Sequence, residues 1–121
     1  METILWILQI FLALVFLYSG INKAIQTKET LIRIKQTGVA DLSYPLIRFI
    51  AVTEILGSIG ITIPELTGIA TILTPIVALC FVFIMICAIP IHWKRREFKS
   101  VALNITILIL SAFVAYGRWY N

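Results

Sequence analysis

Charged residues are scarce in this sequence, since Asp, Glu, Lys and Arg make up only 13% of its 121 residues. A soluble domain averages about 25% because its surface must be polar. Hydrophobic residues make up 60% of the chain, in long runs separated by the few charges. This composition predicts an integral membrane protein with one domain, residues 1–121, rather than a soluble receptor with an apolar pocket.

The residue types that bind metals and perform most catalysis are also few. One histidine and two dispersed cysteines form no metal-ligand pattern, so we expect no metal. The sequence has no Walker loop, dinucleotide fingerprint, CxxC pair or nucleophile–His–Asp set. Cys80 and Cys87 lie seven helical residues apart, about 10.5 Å, which is too far for a disulfide between them. An enzyme built from this chain would rely on acid–base chemistry or on a partner's cofactor.

Four apolar runs are long enough to cross a membrane. A helix needs about 20 residues to span about 30 Å of hydrocarbon, where every backbone group must be paired internally. The spans are expected at about 4–25, 45–63, 66–91 and 101–119. They predict an all-α fold, an integral membrane bundle of four transmembrane helices. We expect the first span to be retained, because it lacks the basic start and cleavage pattern of a signal peptide.

The connections between the spans differ in length. The first is long, and its centre, TKETLIRIKQTG, predicts a short amphipathic helix on the membrane surface. Thr27 or Thr30 is its candidate N-cap, and Gly38 its candidate end. The second connection is predicted to be little more than Pro64 and Glu65.

Basic residues concentrate on one side of the predicted bundle. Nine of the 10 lie in or beside loops 26–44 and 92–100, and only Arg118 lies on the other side. The positive-inside rule therefore predicts that both loops are cytoplasmic and both termini outside. The net charge of +4 comes from these loops and not from a basic–aromatic stripe, so nucleic acid is not an expected partner.

A single carboxylate interrupts the second span, IRFIAVTEILGSIGITIP. Glu54 lies nine residues after Pro45, roughly 13 Å into the helix. Its face of the helix carries small residues, Ala51, Gly57 and Ser58. That face should point into the bundle, because an ionised carboxylate facing lipid is costly. A buried Glu54 needs a cationic partner or a proton.

Depth along the helices predicts where such a partner lies. Lysine or arginine stems can bridge a turn of helix, and several polar residues lie within about one turn of the cytoplasmic edge. The candidate ligand-binding or buried polar cluster is Lys23, Arg48, Glu54, His92 and Asn104. Polar residues on the inward stripes of the first and last spans form a secondary set, Gln9, Ser111 and Arg118.

Each of these residues also has a simpler interpretation. Polar side chains between membrane helices often only hold the helices together, which would explain Asn104 and Ser111. Lys23 and Arg48 could be boundary anchors, and His92 an interfacial residue. Arg118 is more typical of an interfacial anchor than of a site.

Four segments resemble the DoxX-like family of small bacterial membrane proteins. They are YSGINKAI, AVTEILGSIGITIP, ICAIPIHWKRRE and NITILILSAFVAYGRW, and their order and spacing are similar to those of the family. The resemblance covers nearly the whole chain and implies four helices in a bacterial cytoplasmic (inner) membrane. By position it singles out Gly20, Lys23, Glu54, Gly57, Pro64, Ala88, His92, Asn104 and Arg118.

Three functions follow as expectations, the first two by analogy with relatives. The first is a membrane accessory or anchor subunit of an oxidoreductase system, with a soluble or membrane partner at the cytoplasmic loops and a quinone-like ligand near Glu54. The second is a lipophilic-ligand protein, an isomerase-like enzyme or a carrier. The third is a non-catalytic assembly factor or scaffold. A stripe of Thr53, Gly57 and Gly60 would support close packing within the bundle or a homodimer.

Overall fold

Four long helices form the protein in the computed structural model, which describes residues 1–120. Six α-helices follow one another, and a 3-10 turn at Thr37–Val39 separates α2 from α3. Their bounds are α1 Glu2–Ile25, α2 Lys28–Arg33, α3 Tyr44–Gly60, α4 Ile63–Thr67, α5 Leu73–Lys94 and α6 Phe98–Trp119. The stretches long and apolar enough to span a membrane are α1, α3 together with α4, α5, and α6. The predicted all-α bundle of four membrane helices is confirmed.

The helices pack as two close pairs, α1 with α3 and α5 with α6, and α1 also contacts α6. Phe16 of α1 and Phe81 of α5 join the pairs at the centre, where their rings stack with centroids 3.8 Å apart. Large apolar side chains such as Leu14, Leu56 and Phe83 face outward and are more than half exposed. Lipid tails would cover these side chains without the cost that water imposes.

Glycine allows the close approach of helices at two places. A Cβ on Gly20 would lie 3.0 Å from the carbonyl oxygen of Ala51, so α1 and α3 touch backbone to backbone there. A Cβ on Gly57 would lie 2.5 Å from the Phe81 ring, so that ring occupies the space beside α3. Gly57 therefore contributes to packing within this chain.

The second connection is longer than predicted, and the third helix starts later. Pro64 opens α4 rather than only ending the second span, and α5 begins at Leu73 instead of residue 66. Gly68 ends α4 in the left-handed backbone region at φ 74°, and Ala70 follows at φ 54°. Proline suits a first helical turn, and glycine suits the left-handed end of a helix. The apolar run continues through this turn, so hydropathy alone does not reveal the break between α4 and α5.

The interfacial helix α2 is present but shorter than predicted. The Thr27 hydroxyl accepts a hydrogen bond from the backbone N–H of Thr30 at 3.2 Å, so Thr27 is the N-cap. The helix ends at Arg33 rather than near Gly38, because Lys35 adopts a left-handed conformation at φ 75°. Leu31 is fully buried and anchors α2 in a small core with Val39 and Ile47.

The bundle has a basic end and an opposite end. The basic end contains α2, the 3-10 turn, and the connection between α5 and α6. The opposite end contains α4, the start of α1 and the end of α6.

Candidate functional site: two buried polar clusters

Glu54 lies on α3, and its carboxylate faces α1 and is almost completely buried. Its side chain is 2% exposed, and the Lys23 ammonium donates to its Oε1 at 2.8 Å. The Ser19 hydroxyl lies 3.2 Å from Oε1 and 3.1 Å from Oε2, within donating distance of both. Ser19, Lys23 and Glu54 are called the Glu54 cluster below. Of the cations that the sequence offered as partners, Lys23 makes this ion pair.

The pairing explains how a carboxylate is tolerated inside an apolar span. A buried charge is stable only when an opposite charge and hydrogen bonds replace the water that it loses. Ser19 and Lys23 supply both, and they lie four residues apart on one face of α1. The Lys23 side chain retains 16% of its exposure, so the cluster is not sealed at the lysine.

Arg48 supports the Glu54 cluster without touching the carboxylate. Its guanidinium donates to the backbone carbonyl of Lys23, and to that of Gln26 at 3.1 Å. It also lies 5.3 Å from the centroid of the Tyr44 ring. The carbonyls at the end of a helix have no partner within the helix, and arginine can satisfy them. Arg48 therefore fixes the end of α1 that carries Lys23.

His92 belongs to a different cluster, at the basic end. Its Nδ1 lies 2.9 Å from Oε1 of Glu97, and the Thr37 hydroxyl donates to the same carboxylate at 2.6 Å. Arg95 Nε lies 3.4 Å from Glu97 Oε1. Partial burial raises the pKa of Glu97, but the Thr37 and His92 hydrogen bonds and the charges of His92 and Arg95 outweigh burial and hold that pKa below its ordinary value. This cluster ties the 3-10 turn to the start of α6.

Asn104 and Ser111 lie on the inward face of α6, and both are buried. Within residues 1–120, neither the Asn104 amide nitrogen nor the Ser111 hydroxyl has a hydrogen-bond partner. In the same part of the chain, no group of three or more His, Cys, Asp or Glu is placed to hold a metal ion. These two residues are therefore buried polar groups that form no part of the Glu54 cluster.

Arg118 forms a second deeply buried cluster, at the opposite end. Its side chain is 1% exposed, and its Nε donates to Oε1 of Gln9 at 2.7 Å. A second guanidinium nitrogen lies 2.9 Å from both carboxylate oxygens of Glu2 and 3.2 Å from Oε1 of Glu65. Glu2, Gln9, Glu65 and Arg118 are called the Arg118 cluster below. It joins α1, α4 and α6.

Gln9 extends the Arg118 cluster to a fourth element. Its amide nitrogen donates to the backbone carbonyl of Ile61, just after α3, at 2.7 Å. The Trp6 ring covers the guanidinium, with Arg118 Cζ 5.6 Å from the ring centroid. The sequence position of Arg118 favoured an interfacial anchor, whereas the structure encloses it. Gln9 and Arg118 both lie on the predicted inward stripes of their helices, and this pattern indicated that each is buried. It did not predict that they pair, because the pairing depends on α1 lying next to α6.

A shallow apolar groove of about 270 Å³ runs between α3 and α5, and Ser19, Lys23 and Glu54 are not among its lining residues. Gly57, which lines the groove, is three residues and so about one helical turn after Glu54. Phe81 and Val77 line the opposite wall, on α5. The groove faces outward, where lipid tails would lie. The Glu54 cluster and the groove therefore share α3, which contributes Glu54 to the cluster and Gly57 to the groove.

A sequence model described as the DoxX-like family matches residues 7–114, which is most of the chain. No curated protein and no solved structure matched the chain. The matched region includes the whole Glu54 cluster and leaves out Glu2 and Arg118. The chain belongs to the DoxX-like family.

Proposed function

We propose that this protein is a membrane subunit that binds a lipophilic molecule with a polar, quinone-like head beside Glu54. The observation that carries the proposal is the buried Glu54–Lys23 ion pair, together with an apolar groove lined by Gly57, one helical turn after Glu54. Intramembrane ionisable residues are costly and usually functional. A pair needed only for adhesion could be replaced by apolar side chains at little or no cost in stability.

The chemistry of the Glu54 cluster suits a carbonyl or hydroxyl head group. Lys23 and Ser19 are donors, whereas an ionised Glu54 only accepts hydrogen bonds. A quinone carbonyl would receive a hydrogen bond from Lys23, and a quinol hydroxyl would donate one to Glu54. The groove lined by Gly57, Phe81 and Val77 would hold the apolar part of the ligand. Ligand sites of this kind combine a mainly apolar lining with a few placed polar groups.

The first experiment asks whether such a ligand is bound. The protein is purified from native membranes in mild detergent, and the extract is analysed for quinones. The purified protein is then titrated with decylubiquinone, following the fluorescence of its tryptophans. We expect saturable binding that weakens at least about tenfold in Glu54→Gln.

Glu2→Gln is the matched control, because it removes one carboxylate at the opposite end from a side chain that is 62% exposed. It should bind decylubiquinone as the unchanged protein does. Circular dichroism checks that both variants are folded. Equal binding by Glu54→Gln and the unchanged protein would reject the ligand site, and an isomerase-like or carrier role at Glu54 would fail with it.

An oxidoreductase partner at the basic end is the second part of the proposal. Exposed basic side chains are concentrated there, on α2, after it, and around the connection between α5 and α6: Arg33, Lys35, Lys94, Arg95, Arg96 and Lys99. With the positive-inside rule, they support a cytoplasmic position for this end in a bacterial inner membrane. A soluble redox enzyme with an acidic face would be steered to it.

The partner is tested by co-purification from native membranes, with flavin or other redox cofactors measured in the complex. We expect a redox enzyme that is released by high salt, because the attraction is between exposed charges. If no redox protein co-purifies and a Glu54→Leu variant keeps full function in cells, the non-catalytic scaffold is the better account. Homodimer formation stays a prediction, to be measured by the mass of the purified complex.

A further inference from the structure

A cleft of about 480 Å³ opens at the basic end, between the residues that follow α2 and the start of α6. Its polar side carries three cations and a hydroxyl, from Lys35, Arg96, Lys99 and Ser100. Its apolar side carries Phe98 and Leu103. This surface is called the basic cleft below, and it is separate from the Glu54 cluster and the groove between α3 and α5.

The cations of the basic cleft are not neutralised by the protein. Lys35, Arg96 and Lys99 are exposed, and none has a carboxylate within 4 Å among residues 1–120. Glu97 also lines the cleft, but its carboxylate is engaged by Thr37, His92 and Arg95. The cleft therefore has an excess of positive charge available to an anion.

The basic cleft also spans the boundary between a charged and an apolar environment. Arg96 precedes α6 by two residues and Lys99 is its second residue, and α6 is long and apolar enough to cross the membrane. Leu103 lies five residues after Phe98, about 7.5 Å further along the axis. Both of these side chains are 55% exposed. A ligand that fits this order has an anionic head and an apolar tail.

We propose that the basic cleft binds the phosphate group of an anionic phospholipid, with the acyl chain lying over Phe98 and Leu103. Arginine donates through a planar fork suited to phosphate oxygens, and lysine adds a point charge. Basic pockets at the membrane boundary are a recurring form of lipid head-group site. A free phosphate would use the same cations but would not contact the apolar side.

The test uses the full chain in neutral detergent and measures lipid binding by native mass spectrometry. Phosphatidylglycerol is compared with phosphatidylcholine, which carries the same phosphate but no net charge. Arg96→Gln with Lys99→Gln removes two charges from the basic cleft. Arg33→Gln with Lys94→Gln is the matched control, because it removes two exposed charges of the same end outside the cleft.

We expect the unchanged protein to retain phosphatidylglycerol in preference to phosphatidylcholine. Arg96→Gln with Lys99→Gln should weaken phosphatidylglycerol binding at least about tenfold. Arg33→Gln with Lys94→Gln should weaken it much less. Equal losses of phosphatidylglycerol binding in the two double variants would mean that the lipid responds to diffuse surface charge, which would overturn the proposal. Equal binding of phosphatidylglycerol and phosphatidylcholine by the unchanged protein would overturn it as well. Inorganic phosphate in large excess should not displace the lipid. If it does, the lipid assignment is wrong and the cleft is a site for free phosphate.

Discussion

The two buried ion-pair clusters of this protein differ in how many partners hold the central charge. Glu54 has one cation and one hydroxyl, both from α1. Arg118 has two carboxylates and an amide, from two further elements. The cation is 16% exposed in the first cluster and 1% exposed in the second.

This difference indicates different roles for similar chemistry. A group held by several partners from separate elements fixes those elements together, and a ligand cannot replace one partner without disturbing the rest. A group held by one flexible lysine can exchange that contact for one with a ligand at a small cost in free energy. We therefore assign stability mainly to the Arg118 cluster and the proposed ligand binding to the Glu54 cluster.

The largest effect is expected from Arg118→Met. The change leaves Glu65 and Gln9 enclosed without their cation, and breaking a buried pair from one side costs about 3–5 kcal/mol. Unfolding in mixed micelles with increasing dodecyl sulfate measures the loss. Arg118→Lys keeps the charge but not the planar fork. Its free energy of unfolding should therefore lie between those of Arg118→Met and the unchanged protein. If Arg118→Met unfolds as the unchanged protein does, the cluster does not hold the helices together.

A smaller effect is expected at Glu54, and it should disappear in a double variant. Glu54→Gln leaves Lys23 without its carboxylate, and an unsatisfied partner costs about 1–3 kcal/mol. Adding Lys23→Gln removes the unpaired charge, so the free energy of unfolding should return close to its original value. The double-mutant cycle should give a coupling of about 0.5–3 kcal/mol. Additive losses would show that the two side chains do not depend on each other.

Within the Arg118 cluster, the two carboxylates should contribute unequally. Glu2 is 62% exposed and Glu65 only 17%. Exposed ion pairs contribute about 0–1 kcal/mol, so Glu2→Gln should change the free energy of unfolding by no more than that. Glu65→Gln should cost more, because the guanidinium loses its better-shielded partner. The same unfolding assay compares them, and an equal or reversed order would contradict the geometry.

The smallest effect is expected at Glu97, as a local response to acid. Since the folded pKa of Glu97 is lowered, its contribution is complete above the ordinary pKa of 4.5 and is lost as pH falls through the lower folded value. Hydrogen exchange at Thr37–Val39 should therefore quicken under acid, after correction for the intrinsic rate. Thr37→Val removes a hydrogen bond that lowers this pKa, so the acid-dependent loss should be smaller and should be complete at a higher pH. Protection that does not change with pH would contradict the role of Glu97.

The sequence was sufficient to predict four membrane helices and the inward face of Glu54. Apolar length and the small residues around Glu54 are local signals, so a single helix displays them. The end of α4 was missed because Gly68 and Ala70 turn the backbone inside an apolar run. Hydropathy does not record a backbone conformation.

The composition of the polar clusters was harder to predict, because it depends on which helices are neighbours. The sequence grouped Lys23, Arg48, Glu54, His92 and Asn104 by depth alone. The structure pairs Lys23 with Glu54, whereas His92 pairs with Glu97, five residues later. Depth gives the level of a residue in the membrane but not its direction around the bundle. Arg118 and Glu2 are 116 residues apart, so only the packed bundle brings them together.

The most direct test of the central claim is decylubiquinone binding by the double variant Glu54→Gln with Lys23→Gln. Because this variant leaves no unpaired charge, we expect it to stay folded, and the free energy of unfolding checks that expectation. The account predicts a free energy of unfolding close to that of the unchanged protein, with binding weakened at least about tenfold. A folded double variant that binds decylubiquinone as tightly as the unchanged protein would contradict it.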